Sequence, residues 1–166
     1  MTGSAMTDVE HLIAAANAAR LAAPDERADA GPAEAERRLD ERFGTEHTLA
    51  VYGTLAPGEP NHHVVAPLGG EWTDGVVEGD LFPVGWGAAL GYPAFIPRAG
   101  GPEVPVKVLR TRRLKDAWPG LDRFEGPGYR RILVPVLSPA AAGERRLLAV
   151  ANLYAAADER PDDART

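Results

Sequence analysis

Hydrophobic and polar positions repeat with helical spacing in the first part of the chain. Between residues 7 and 23 the apolar side chains lie three and four positions apart, as on one face of a helix. These residues are Val9, Leu12, Ile13, Ala16 and Leu21. Pro24 is expected to end this helix. A second helix is predicted from Pro32, which suits a first helical position, to Gly44, which suits a helix end.

From residue 48 onward, short apolar runs bounded by Gly, Pro or Asp replace the helical spacing. Such runs are typical of strands. The predicted strands span residues 48–52, 75–82, 93–96, 104–109, 129–137 and 145–154. One amphipathic helix is predicted among them, with its apolar positions at Leu114, Ala117, Trp118, Leu121 and Phe124. This order predicts an α+β fold, a small mixed barrel or curled sheet with a helix covering one opening.

The chain has 166 residues, which is enough for one hydrophobic core. We divide it into an N-terminal helical extension (residues 1–44), a main domain (45–157) and a charged tail (158–166). The extension is expected to be a capping or dimerising arm, so a homodimer through its helices is predicted, and a contact with substrate is the alternative. Because the extension carries no motif that could take part in catalysis, we predict that it is dispensable for the chemical reaction.

Composition excludes several classes of function. The formal net charge of −6 argues against nucleic acid as a partner, because such binders usually carry a basic face. The absence of cysteine excludes disulfides, thiolate nucleophiles and thiolate metal sites. No stretch approaches the roughly 18 to 20 apolar residues needed to span a bilayer. We therefore expect a cytoplasmic protein without a membrane partner, acting on a small molecule.

The first candidate site follows the first predicted strand, in Val51-Tyr52-Gly53-Thr54-Leu55 and the Pro-Gly turn behind it. A glycine after a strand lets backbone N–H groups converge and bind a carboxylate or phosphate. A larger side chain at Gly53 is expected to crowd this group of donors and to strain the turn. The alternative is an ordinary turn. The adjacent His62 and His63 have no nearby third ligand, so no metal site is predicted.

The second candidate is Glu125, at the end of the predicted internal helix. A carboxyl group beside apolar side chains at a helix end can be partly desolvated, which raises its pKa and suits it to proton transfer. The alternative is a solvated charge. Asp122, three residues earlier, would make a carboxylate pair with Glu125, but we interpret it as part of a charged solvent face.

Taken together, the two candidates resemble the γ-glutamylcyclotransferase-like family, in its bacterial γ-glutamylamine cyclotransferase and avirulence-induced-gene-like branch. The resemblance covers about residues 48–156, and the two N-terminal helices have no counterpart in the shared core. It is carried by residues 51–55 and 58–62, 77–81, 91–94, and the Leu121-Asp122-Arg123-Phe124-Glu125-Gly126 segment with Tyr129, Arg131, Val134 and Val136.

This resemblance implies a small mixed twisted β-barrel and an enzyme that needs no metal or cofactor. Such an enzyme would cyclise a γ-glutamyl amine or amide to 5-oxoproline and release the free amine, a reaction of acyltransferase or lyase type. It implies that Glu125 is the catalytic acid and base. The implied substrate-binding residues are Tyr52, Gly53, Thr54, Leu55, Tyr129 and Tyr154. A non-catalytic module that binds a small acid or amide, with a partner-binding helical arm, is the alternative.

Overall fold

The computed structural model of the chain describes residues 3–21, 30–83 and 91–157. Their helices are α1 (Gly3–Leu21), α2 (Ala30–Phe43) and α3 (Leu114–Glu125). Their strands are β1 (Thr48–Val51), β2 (Glu71–Phe82), β3 (Ala94–Pro97), β4 (Glu103–Arg110), β5 (Tyr129–Leu137) and β6 (Leu147–Ala156). No helix in these three ranges combines the length and the apolar character required to cross a membrane.

Five of the described strands close into a barrel. They are hydrogen-bonded in the order β2-β4-β1-β6-β5, and a pairing between Val76 of β2 and Leu137 of β5 closes the ring. β1 runs parallel to β6, the other pairs are antiparallel, and β3 extends the sheet along the second half of β2. The α+β barrel predicted from the sequence is therefore confirmed.

The closure requires a glycine beside the pairing of β2 with β5. A Cβ atom on Gly75 would lie 2.4 Å from Cγ1 of Val136, a distance that side-chain carbons do not reach without displacement. The absence of a side chain lets β2 cross β5 closely. The interior of the barrel is filled by alternate residues of its strands, among them Val104, Val106 and Val108 of β4.

Helix α3 packs on the outer side of β1 and β4. Its buried residues Leu114, Trp118 and Leu121 share a cluster with Leu49, whereas the next residue, Ala50, belongs to the interior cluster. Successive strand residues point to opposite faces of a sheet, so α3 covers the outer wall of the barrel. The sequence had predicted that this helix would cover an opening of the barrel. The helix continues through its internal proline at a cost of about 3 kcal/mol. Burial of the three large side chains, at about 1.5–3 kcal/mol each, offsets that cost.

Helices α1 and α2 cover another part of the outer wall. Val9 and Ile13 of α1 and Leu39 of α2 form a buried cluster with Leu133 of β5 and Val150 of β6. The side chain of Asn17 in α1 bonds both backbone groups of Leu133, at 2.8 Å each. The two helices are therefore packed as part of the domain. The boundary at residue 44, the dispensability of the extension and the homodimer stay predictions.

Most element boundaries lie close to the predicted ones. Helix α1 begins at Gly3, four residues earlier than predicted, and residues 22 and 23 of the predicted helix lie outside the described residues. Strand β2 begins at Glu71 rather than at residue 75. The tail at 158–166 also lies outside the described residues.

Candidate active site

A cavity of about 290 Å³ lies beside the end of β1, where the end of α3 and the start of β5 come together. All seven residues predicted for the site line this cavity: Tyr52, Gly53, Thr54, Leu55, Glu125, Tyr129 and Tyr154. The structure therefore brings together three segments of the chain: residues 52–55, residues 125–129 about 70 positions later, and Tyr154 of β6. The roles of these residues in binding and catalysis stay predictions.

Glu125 is the last residue of α3, and its carboxyl group is largely buried in the cavity. The helix ends there because Gly126 adopts a positive φ of 78° and donates its N–H to the carbonyl of Asp122 at 3.1 Å. Burial raises the pKa of Glu125 from 4.5 to about 7. Within the described part of the chain, no donor hydrogen-bonds to this carboxyl group. Such a group can take up and release a proton near neutral pH.

The turn after β1 is held by its own hydrogen bonds. The backbone N–H of Asn61 donates to the carbonyl of Thr54 at 2.9 Å, and the side-chain amide of Asn61 donates to the Thr54 hydroxyl at 2.9 Å. Nδ1 of His62 lies 2.9 Å from the carbonyl oxygen of Leu55. Among the described residues, no acceptor bonds to the backbone N–H groups of Gly53, Thr54 or Leu55. These groups can therefore bind an anion in the cavity.

Gly53 does not have a positive φ, so the expectation that a larger residue would strain the turn is wrong. A Cβ atom on Gly53 would instead lie 4.0 Å from Cγ of Pro93, which also lines the cavity. A larger side chain at Gly53 would therefore act by filling space at the cavity, not by straining the backbone of the turn. At 4.0 Å a Cβ atom would make an ordinary van der Waals contact with Pro93, so only a side chain larger than a methyl group would crowd the segment that precedes β3.

The three predicted tyrosines are oriented by hydrogen bonds from their hydroxyl groups. Tyr52 donates to the carbonyl of Tyr154 at 2.7 Å, Tyr129 donates to the carbonyl of Pro93 at 2.6 Å, and Tyr154 donates to Oδ1 of Asp122 at 2.7 Å. Burial raises the pKa of all three, that of Tyr129 to about 12. Each phenol is thus neutral near pH 7 and, while these bonds hold, offers a ligand only its oxygen lone pairs.

Asp122 is exposed, as its interpretation as part of a charged solvent face predicts, and it also has specific hydrogen-bond partners. Arg131 donates to both carboxylate oxygens of Asp122, at 3.0 and 3.3 Å, and its guanidinium lies 4.5 Å from the centre of the Trp118 ring. Arg131 and Tyr154 are cross-strand neighbours of β5 and β6, and both bond to Asp122. Asp122 therefore positions the Tyr154 hydroxyl, and it is not among the residues that line the cavity with Glu125.

Besides Ala50 and Val51 of β1, four further residues at the cavity were not predicted as site residues. Asn61 supports the turn, and Tyr92 and Pro93 precede β3. Phe124, interpreted from the sequence as part of the apolar helix face, is 44% exposed and lines the cavity. The sequence offered one signal for three of these residues, because residues 58–62 and 91–94 belong to the segments that carried the family resemblance.

The fold and the site define a class of small α+β barrel proteins with a buried carboxyl group and free backbone donors in one cavity. The sequence model of the family described as Gamma-glutamyl cyclotransferase, AIG2-like matches residues 49–165, which is most of the chain. The protein belongs to this family. Membership suggests activity of the γ-glutamyl cyclotransferase type. The match begins within β1, so α1 and α2 lie outside it.

The chain is similar to several solved structures. An AIG2-like protein from Mus musculus has a TM-score of 0.50 and 24% identity, over 70% of this chain and 80% of the other. An uncharacterized protein from Pyrococcus horikoshii has a TM-score of 0.47 and 19% identity, over 69% and 80%. YkqA from Bacillus subtilis has a TM-score of 0.48 and 24% identity, over 67% and 36%. A comparison with curated proteins gives no match.

Proposed function

We propose that this protein cyclises a γ-glutamyl amine or amide to 5-oxoproline and releases the free amine. One observation carries the proposal. The carboxyl group of Glu125, with its pKa raised to about 7 by burial, shares a cavity with the free N–H groups that follow β1. A proton-transfer group and an anion site are the two features that this reaction requires of an enzyme.

The turn at Gly53, Thr54 and Leu55 would bind the α-carboxylate of the glutamyl group. Its N–H groups would form charge-assisted hydrogen bonds, which are stronger than bonds between neutral partners. Among the described lining residues, none is Lys, Arg or His. The backbone donors are therefore the main partners that this part of the cavity offers to a carboxylate or to a developing oxyanion.

The α-amine would lie near Glu125 and the phenol oxygens. An ammonium group is a donor, and a carboxylate and the lone pairs of Tyr52, Tyr129 or Tyr154 are acceptors, so the polarities match. Glu125 in its ionised form would take one proton from the ammonium group. The resulting neutral amine is the nucleophile.

The ring then closes within the substrate. The α-nitrogen attacks the γ-carbonyl carbon, a new C–N bond forms, and the carbonyl oxygen takes the negative charge. As that oxygen regains its double bond, the bond to the departing nitrogen breaks, and Glu125 returns its proton to this nitrogen. The new ring nitrogen still carries one proton too many, which it gives to the ionised Glu125, and Glu125 passes that proton to the released amine. Orientation of such an intramolecular step can lower the barrier by roughly 7–11 kcal/mol, and the proton transfers can contribute about 10² to 10⁴ in rate.

The test measures 5-oxoproline released from a panel of γ-glutamyl amines by the wild type and by Glu125→Gln. Glutamine keeps the size of the side chain but cannot carry the proton, so we expect a folded variant that binds substrate without turnover. Glu71→Gln, at an exposed residue that begins β2, is the matched control. A Glu125→Gln rate near that of the wild type would contradict the mechanism. Substrate binding without turnover of any amine by the wild type would favour a binding module.

A further inference from the structure

Two large aromatic side chains at the cavity are exposed to solvent. Phe124 is 44% exposed and Tyr92 is 57% exposed, and both line the same cavity as Glu125. The other large apolar side chains that the described residues expose lie away from this cavity: Leu21, Leu81 and Leu148. Apolar surface that is concentrated at a cavity, and not scattered singly, indicates contact with a ligand.

The charges at the cavity are unusually few. Among the described lining residues, Glu125 is the only acidic one, and no basic side chain is present. The phenols of Tyr52, Tyr129 and Tyr154 are neutral near pH 7, and burial raises the pKa of each further above that pH. A cationic group on the departing amine would compete with the reacting nitrogens for Glu125. An anionic group would have no side-chain partner and would lie near a carboxyl group that must ionise.

The proposed reaction sets the direction of the substrate. With the α-carboxylate at the Gly53–Leu55 turn, the departing nitrogen must lie within reach of Glu125, which protonates it. Phe124 is adjacent to Glu125 in the chain, and Tyr92 borders the same cavity. The substituent on the departing nitrogen then extends along the two aromatic side chains toward solvent.

A neighbouring groove of about 830 Å³ offers a different environment. It shares residues 51–54 and Pro93 with the cavity but does not include Glu125. Its lining includes Glu59, for which the described residues provide no ionic partner, together with Asp74, Glu103 and Lys107. A cationic amine would suit this groove better than it suits the aromatic pair.

We propose that the amine released by this protein carries an uncharged apolar or aromatic substituent, and that Phe124 and Tyr92 select it. The inference rests on the proposed cyclotransferase function and names its substrate class. Both side chains contact only the departing part of the substrate, so they act on the choice of amine and not on the cyclisation common to all substrates.

The test uses four γ-glutamyl amides, formed with methylamine, benzylamine, 1,4-diaminobutane and β-alanine, so that size and charge vary separately. We expect the wild type to turn over the benzylamide with a kcat/KM roughly tenfold above those of the other three, the size of effect that an apolar contact can give. Phe124→Ala is expected to lower kcat/KM for the benzylamide about tenfold more than for the methylamide. Leu148→Ala, which removes an exposed apolar side chain elsewhere, is the matched control and should change neither.

The outcomes separate this inference from the proposed function. Turnover of the methylamide without a preference for the benzylamide contradicts the inference alone, as does an equal effect of Phe124→Ala on all four amides. A preference for the diaminobutane derivative also contradicts it and points to the groove that contains Glu59. Absence of 5-oxoproline from all four amides contradicts the proposed function and the inference together.

Discussion

Replacement of Glu125 by Gln is expected to change the stability of the protein in a pH-dependent manner. The pKa of Glu125 is raised by burial from 4.5 to about 7. Between these two pH values the folded protein holds a proton that the unfolded chain has already lost. The wild type should therefore lose stability as the pH rises through this window, because the ionised carboxylate is unfavourable in the cavity.

The size of the effect follows from the two pKa values. One pH unit corresponds to about 1.4 kcal/mol, so the loss is about 3 kcal/mol when it is complete, above pH 7. Glutamine does not ionise, and the variant should avoid this loss. The free energy of unfolding of Glu125→Gln minus that of the wild type should therefore increase by about 3 kcal/mol between pH 4.5 and pH 8. In a domain of this size, that is roughly 6–12 °C in Tm.

Urea unfolding followed by far-ultraviolet circular dichroism, at half-unit steps from pH 4.5 to pH 8.5, measures this difference. Glu71→Gln removes the same formal charge from an exposed position and corrects for the change in net charge. A difference between Glu125→Gln and the wild type that is the same at pH 5 and pH 8 would show that the Glu125 carboxyl is solvated. The proposed role of its raised pKa would then be refuted.

Three other substitutions or deletions test the site and its support. Tyr154→Phe removes the hydrogen bond to Asp122 and should lower the free energy of unfolding by about 1 kcal/mol, as urea titration would show, with a lower kcat. Gly53→Val should leave Tm unchanged but raise KM, because a side chain larger than a methyl group would crowd the cavity beside Pro93; an unchanged KM would contradict this. Deletion of residues 1–44 should lower Tm, because it exposes apolar residues of β5 and β6; a folded fraction with turnover would support dispensability for chemistry.

Local pattern was sufficient to predict most elements of this fold. The spacing of Leu114, Trp118 and Leu121 predicted α3 within one residue, and the apolar run at residues 129–137 predicted the full extent of β5. These signals are local, because a helix face and a strand face repeat over a few residues whatever the rest of the chain does. Strand β2 begins four residues before its apolar run, because Glu71 to Asp74 are held by pairing with β4.

The sequence also predicted which residues form the candidate active site. Glu125 at a helix end and Gly53 after a strand were predicted as parts of one site, on the strength of two motifs in the order of a known family. The sequence pattern indicated these residue types, but it does not reveal how deeply the Glu125 carboxyl group is buried. The pKa of Glu125 depends on how completely α3, β1 and β5 exclude water around its carboxyl group.

Only the tertiary structure decided which distant residues meet. The bonds of Asp122 to Arg131 and Tyr154 depend on the pairing of β5 with β6, and nothing in the spacing of these residues specifies that register. Phe124 has the helical spacing of a buried residue, yet it lies beyond the wall that buries Leu121 and is exposed at the cavity. The sequence by itself determined the elements and the reactive groups, because both follow from local chemistry. The exposed aromatic surface of Phe124 and Tyr92 beside these groups was decided by long-range packing. Such packing brings together segments that share no local signal.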